Sequence, residues 1–187
     1  MIYVLTAIHN RWQATEKFLN CLEKQTFHDF KTIIVDDSST DESYAAIKKS
    51  YSGINVISGN GNLWWTGAIN KGLNYLVPKI KKGDFILTIN TDCSFRRDYI
   101  NTLFDISNDN NRAIVGSLSK NYFDKNVIDR TGIQIDWRNF VLRQAQYYGS
   151  QKLCRNIDTL STRGTLIPIE VIQKIGLLDQ KNFPHYM

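Results

Sequence analysis

Four short apolar runs, each emptying into a cluster of small polar and acidic residues, restrict what this chain can fold into more than any other feature. Ile2 to Ile8 is rich in β-branched and aromatic residues and is followed by His9, Asn10 and Arg11, the pattern of a buried strand that ends in a loop. Thr32 to Val35 runs into Asp36, Asp37, Ser38, Ser39, Thr40 and Asp41, residue types that build turns and cap helices. Asn55 to Ser58 leads into Gly59 to Gly67, and Asp84 to Ile89 into Asn90 to Ser94. Between the runs the apolar spacing changes to steps of three and four. Ala14, Phe18, Cys21 and Leu22 mark one face of a helix over Trp12 to Gln25, and Trp65 to Leu76 predicts another. With a helix after Asp41, three strand-to-helix alternations argue for a parallel sheet covered by helices on both faces.

The second half has a different texture. Ile100 to Ile106 predicts a helix and Ala113 to Ser117 a strand, after which Asn121 to Tyr148 alternates polar with apolar residues such as Ile133, Ile135, Trp137, Phe140 and Leu142. A period of two reads as antiparallel strands. Thr165 to Ile167 is a further short strand, and Ile169 to Ile175 a short helix closed by Gly176. The 187 residues suffice for one domain with a real core and would crowd two.

Several function classes fall away on composition. No apolar run approaches a bilayer-spanning length, and the first strand leads into polar residues instead of a cleavage site, so the chain reads as soluble, unsecreted and cytoplasmic. Cys21, Cys93 and Cys154 are odd in number and widely spaced, signalling neither a disulfide framework nor a zinc site. The net charge of +5 would attract a diphosphate, a nucleic acid or an anionic membrane surface alike. The basic residues are dispersed and form no nucleic-acid module, so no nucleic-acid partner is expected; Lys79, Lys81 and Lys82 read as a solvated helix end. Gly59-Asn60-Gly61-Asn62 lacks the last glycine of the dinucleotide fingerprint, and no Gly-Lys-Ser/Thr of a P-loop occurs. His9, His28 and His185 show no metal-ligand spacing.

In an open parallel sheet, ligands bind beyond the carboxyl ends of the strands, and here the polar clusters fall at those ends. One carboxylate can accept the imide N–H of uracil or thymine while another holds a cation against phosphate. The sharpest element is the run Ile86 to Asp92, a buried strand delivering Asn90 and Asp92 two positions apart and so toward one side. Mg²⁺ or Mn²⁺ uses one or two protein oxygens plus phosphate oxygens, a demand Asp92 can meet with help from Asn90. The plainer alternative, that Asn90 and Asp92 build a turn and that Asp36 and Asp37 only cap a helix, fits each cluster taken singly. Trp64 and Trp65 have two readings as well: packing, or a face for a sugar or nucleotide.

Taken in order, Val4 to Asn10, Ile33 to Asp41 with its Val-Asp-Asp-Ser-Ser-Thr-Asp block, Asn62 to Gly72, Asn90-Thr91-Asp92, and Arg163 to Pro168 through Gly176-Leu177-Leu178-Asp179 resemble the family 2 glycosyltransferases. The resemblance implies a GT-A fold: a Rossmann-like mixed sheet, mainly parallel, flanked by helices, with an antiparallel C-terminal portion. It implies a single domain, with residues 1–118 as the nucleotide-sugar-binding half and 119–187 as part of the acceptor side. Thr6 and Ala7 would line the nucleotide site and Asp37 contact the pyrimidine. Asp36, Asn62, Asn70 and Asn90 would complete that side, and Asp92 would hold the divalent cation, Mn²⁺ or Mg²⁺. Asn90 stands where the family more often has Asp, which removes one negative charge from the cation site.

The resemblance further implies an inverting transfer from a UDP- or dTDP-sugar to a saccharide or lipid-linked saccharide, in polysaccharide or glycoconjugate synthesis. It leaves open a peripheral position at the inner membrane face. In the family, Gly-x-x-Asp is followed shortly by Phe and then by an acidic pair containing the general base. Here Phe183-Pro184-His185-Tyr186-Met187 stops where that pair would begin, so the base is expected after Met187 and the chain reads as truncated. A silent nucleotide-sugar-binding module is the alternative. A sugar-1-phosphate nucleotidyltransferase is disfavoured because its glycine-rich basic N-terminal loop is absent.

Overall fold

A computed structural model describes residues 1–121, 123–124, 126–146 and 157–185. Strands β1 (Ile2–Ile8), β2 (Phe30–Asp36), β3 (Asn55–Ser58) and β4 (Phe85–Thr88) alternate with helices α1 (Trp12–Glu23), α2 (Ser43–Ser50) and α3 (Trp64–Leu76). Next come α4 (Tyr99–Asp109) and β5 (Val115–Gly116). Two antiparallel pairs, β6 (Ser119–Lys120) with β7 (Ile128–Arg130) and β8 (Ile133–Asp136) with β9 (Val141–Gln144), precede β10 (Thr165–Pro168) and α5 (Ile169–Ile175).

The main sheet has the order β3-β2-β1-β4-β10-β5. The first four strands are mutually parallel, and β10 lies antiparallel between β4 and β5. Register carries the functional consequence. Ile8 pairs with Asp36, Asp36 with Ser58, and Leu5 with Thr88, so these strands finish along one edge and their following loops leave together.

Alternation along the strands sorts the core into two layers. Ile2, Val4 and Ile8 of β1 point to the face where Phe18, Leu19 and Leu22 of α1, Ile47 of α2, and Ile100 and Leu103 of α4 are buried. Leu5, Ile33, Val35 and Ile86 point to the other face, against Ala68, Ile69, Leu73 and Leu76 of α3 and Ile169 and Ile172 of α5. Burial on both faces accounts for the near-continuous apolar character of the central strands. At Gly72 helix α3 lies so close to β1 that a Cβ would collide with a methyl of Leu5.

The expected mixed sheet with an antiparallel C-terminal portion is present. Boundaries differ where hydrogen bonding, which composition does not display, sets the ends. β2 starts at Phe30 because Phe30 and Lys31 pair with Ile2 and Tyr3. Of the stretch expected as a strand from Ala113 to Ser117, Val115 and Gly116 pair with β10. Helix α4 reaches Asp109, its start pinned by the Ile100 N–H on Gln25 Oε1 at 3.0 Å. The expected antiparallel stretch resolves into β7, β8 and β9; Tyr147, Tyr148 and Cys154 lie outside the described residues.

Candidate functional site

Four loops meet at the carboxyl edge of β1 to β4, tied to one another by side chains. The loop after β1 joins the loop after β2. His9 Nδ1 lies 2.7 Å from the carbonyl oxygen of Asp37, and Asn10 Oδ1 accepts the N–H groups of Thr40 at 2.7 Å and Asp41 at 3.2 Å. Asp41 answers by accepting the Trp12 N–H at 3.1 Å, one of the orphan amides that open α1, and the Ser43 N–H at 3.0 Å at the start of α2. Partial burial pushes the Asp41 carboxyl upward, but hydrogen bonds from Ser43 and from the Trp12 amide outweigh it and hold the group below the usual range.

The loop after β2 in turn fixes the loop after β3. Asp37, only 7% exposed, accepts the Gly61 N–H through Oδ1 at 2.8 Å and the Leu63 N–H through Oδ2 at 2.9 Å. Those charge-assisted bonds satisfy the carboxylate and carry the chain into α3. Gly59 has no room for a side chain, since its Cβ would fall 2.8 Å from the Asp37 Cα. Asn10, Ser38 and Trp64 all have φ near the left-handed region, at 51°, 56° and 55°. Two such residues on adjoining loops and a third at the first position of α3 mark backbone held by its surroundings.

The loop after β4 completes the edge. Asn90 Oδ1 accepts the Trp65 indole N–H at 3.1 Å, and Arg11 reaches Asp92 with a nitrogen-to-oxygen distance of 3.7 Å. Side-chain exposures of 60% for Arg11 and 44% for Asp92 leave this pair open to solvent and to a ligand. Beside it, burial pushes the Cys93 thiol up to about 11, with the Asp92 charge adding to the rise.

The residues singled out in the sequence fall into distinct places. Asp36 is buried and its Oδ1 accepts the Ser39 N–H at 2.9 Å, so it shapes the turn. Asp37 and Asp92 lie on the same edge, linked through His9, Asn10 and Arg11. Ala7 is half-buried at the end of β1; Thr6 is fully buried, and its hydroxyl has no hydrogen-bond partner. Asn62 is exposed in the loop that Asp37 holds. Asn70 sits further along α3 with its amide engaged by the backbone of Leu178, at 2.9 and 3.0 Å. Asp179 accepts the Asn182 N–H at 3.1 Å and its side-chain amide at 2.7 Å, bonds that lower its pKa and give it a turn-forming role.

Sequence reasoning passed over Arg11, a cation at this edge whose signal was simply its position after a strand. It also passed over the contacts of residues 178–185 with α3, which no local pattern announces. Among the described residues no three His, Cys, Asp or Glu side chains gather into a metal cage. The donor chemistry present is one half-exposed carboxylate, Asp92, while the Asn90 amide oxygen is engaged by the Trp65 indole; a single carboxylate of this kind is compatible with a cation that takes most of its ligands from phosphate and water.

A β3-β2-β1-β4 parallel block extended by an antiparallel strand, with loops gathered at one edge, defines a GT-A glycosyltransferase architecture. Solved structures share it. A mannosyltransferase, PcManGT from Pyrobaculum calidifontis, in complex with GDP-Man and Mn²⁺, superposes with a TM-score of 0.69 at 12% identity over 96% of this chain and 48% of that one. TarS 1-349 of S. aureus, in complex with UDP-GlcNAc, gives 0.65 at 17% identity over 92% of this chain and 46% of that one. The glycosyl transferase family 2 model matches residues 3–176, and the chain belongs to that family. Among curated proteins, the amylovoran biosynthesis glycosyltransferase AmsB of Erwinia amylovora is 30% identical over 100 residues, covering 51% of this chain and 32% of that protein. The chain thus spans about half the length of these solved structures and a third of AmsB.

Proposed function

We propose that the gathered edge holds a UDP- or dTDP-sugar and that the chain serves an inverting transfer of that sugar to a hydroxyl acceptor, a saccharide or lipid-linked saccharide. Residues 1–118 carry the donor side and 119–187 part of the acceptor side. The observation that supports this reading is that Asp37 and Asp92 stand on loops leaving the same edge of the sheet, with the backbone carbonyl of Asp37 tied to His9 and the Asp92 carboxylate paired with Arg11, both on the loop after β1. Each Asp37 oxygen accepts one loop amide, and a carboxylate has lone pairs left for a base imide N–H. Ala7 and the backbone of Thr6 would line the site beside that base. Arg11 and Asp92 face the diphosphate with opposite charges, so the arginine can pair directly with phosphate. Asn90 orients Trp65 through its indole N–H. A divalent cation on Asp92 would act as a Lewis acid on the departing diphosphate.

Inversion requires the acceptor hydroxyl to attack the anomeric carbon opposite the diphosphate while a base takes its proton. The Asp179 carboxylate is held in a turn with a lowered pKa, the wrong direction for that base. A biosynthetic role in polysaccharide assembly accords with AmsB, whose name states amylovoran biosynthesis. No helix among the described residues is long and apolar enough to cross a membrane, which agrees with work at a membrane face or away from one.

Calorimetric titration with UDP, dTDP and GDP, with and without Mn²⁺, tests the reading, and a donor-consumption assay extends it. Cation-dependent binding of UDP or dTDP is expected, with Asp92→Asn losing more than about tenfold of the Mn²⁺-dependent affinity. Binding without donor consumption would restrict the chain to holding the donor. Failure to bind any nucleotide would sink the proposal.

A further inference from the structure

Hairpin β8–β9 is fastened at its base and exposed at its tip. At the base the Ala145 N–H reaches the Gly132 carbonyl at 3.0 Å, the Thr131 hydroxyl reaches the Ala145 carbonyl at 2.6 Å, and Ala145 is buried. Toward the tip every residue of β9 is exposed. Trp137 is 66%, Phe140 83% and Leu142 66% exposed, with Val141 open beside them. Large apolar side chains gathered on a surface, instead of scattered over it, mark an interaction site.

The loop is built to hold that exposure. Asp136 Oδ1 accepts the Arg138 and Asn139 N–H groups, both at 3.1 Å, and its Oδ2 accepts the Asn139 side-chain amide at 2.9 Å. Asp158 accepts the Ile135 N–H through Oδ2 at 2.8 Å and the Trp137 indole N–H through Oδ1 at 3.4 Å. Phe140 has a φ of 53°, a conformation that asparagine adopts far more readily than a bulky residue. Neither burial nor backbone preference therefore accounts for a phenylalanine at this position.

Charge decides what the tip fits. From Trp137 to Arg143 the chain carries two arginines, Arg138 and Arg143, and no acidic residue. No carboxylate among the described residues lies within ion-pair distance of either guanidinium. Two copies meeting tip to tip would bring these like charges together. A saccharide calls for acceptors to its hydroxyls, and the Asp136 carboxylate is spent on the loop itself. Rings and aliphatic side chains among arginines match instead the interface of an anionic bilayer, where aromatics sit at headgroup depth and guanidiniums pair with lipid phosphate. We propose that the tip of the β8–β9 hairpin, Trp137 to Arg143, docks the protein on an anionic phospholipid surface. The inference stands apart from the donor reading above and uses none of its residues.

Co-sedimentation of the whole chain with vesicles tests it, using phosphatidylcholine alone and phosphatidylcholine mixed with about a third phosphatidylglycerol. Binding to the anionic vesicles is expected, weakening as salt rises. Arg138→Gln combined with Arg143→Gln should lower the partition about 30-fold, roughly fivefold for each basic residue at such a surface. Phe140→Asn, which suits the backbone, should lower it about tenfold through lost apolar contact. Bromine-labelled lipid should quench tryptophan fluorescence, and Trp137→Phe should abolish that quenching. Circular dichroism should show every variant folded, since the side chains removed are exposed. Should the arginine variant fail to fold, Phe140→Asn carries the comparison.

Several results overturn the inference. They are no sedimentation with anionic vesicles, equal sedimentation with neutral ones, or a partition unchanged in both the arginine variant and Phe140→Asn, which assigns the contact to another surface. A dimer of the unaltered chain that Phe140→Asn separates assigns the tip to a second copy and overturns it too. Nucleotide titration of the same chains reads the donor site alone, so its failure leaves the lipid result standing.

Discussion

Asp37 shows how much one carboxylate can organise. Its oxygens receive the Gly61 and Leu63 amides and so decide where α3 begins relative to β2. Replacing it with Asn keeps the shape but turns an acceptor into a donor facing an N–H. Asp37→Asn is therefore expected to cost about 1–3 kcal/mol, the scale of an unsatisfied buried donor. Urea denaturation would read the loss, and faster exchange at Gly61 and Leu63 would localise it. Asp41 makes a pH-dependent prediction. Because its pKa is lowered on folding, it contributes stability above its unfolded value that is lost as pH falls through the folded one. Asp41→Ala should thus be destabilised by about 1 kcal/mol at neutral pH, as for a lost helix cap. Thermal melts across pH should show the deficit shrinking in acid, and a deficit constant down to strongly acid pH would contradict the assignment.

At the scale of elements, α3 does three things with three parts of its surface. Ala68, Ile69, Leu73 and Leu76 bury against the sheet, Trp65 reaches Asn90, and Thr66 with Asn70 grips the backbone of Phe183 and Leu178. Its glycines mark the tight contacts. Gly72→Ala would drive a methyl into Leu5 of β1, where neither partner can retreat. Such overpacking should cost about 1–3 kcal/mol, more than the helix-propensity gain of about 1 kcal/mol offsets. Gly67→Ala meets only the flexible end of Gln180, so the same propensity gain should leave it near neutral or slightly stabilised. Denaturation midpoints of the two variants, measured side by side, test whether the packing partner decides the sign.

Across the whole molecule, the edge where four loops converge exists because parallel strands of matched register end together, a property of the sheet and not of any loop. The strand–helix alternation was readable because burial on both faces forces long apolar runs, and helices announce themselves by three- and four-residue spacing. Asp37 and Asp92 were legible as carboxylates at strand ends, since position relative to a parallel sheet is nearly enough to put a group at the edge where the loops gather. Element ends were less so, because ladder bonds such as those of Phe30 with Ile2 leave no mark in composition. Asn70 stood in the sequence beside residues of the nucleotide side. Only folding, by bringing Leu178 back against α3 across more than a hundred residues, engaged its amide with the Leu178 backbone. The same holds for Arg11 and Asp92, whose partnership needs β1 and β4 to be neighbours. The local order of residues determined the elements and the edge at which polar groups collect. Which of those groups remain open to a ligand was decided by contacts between distant segments, because a hydrogen bond consumes an amide or carboxylate whatever its sequence neighbours suggest.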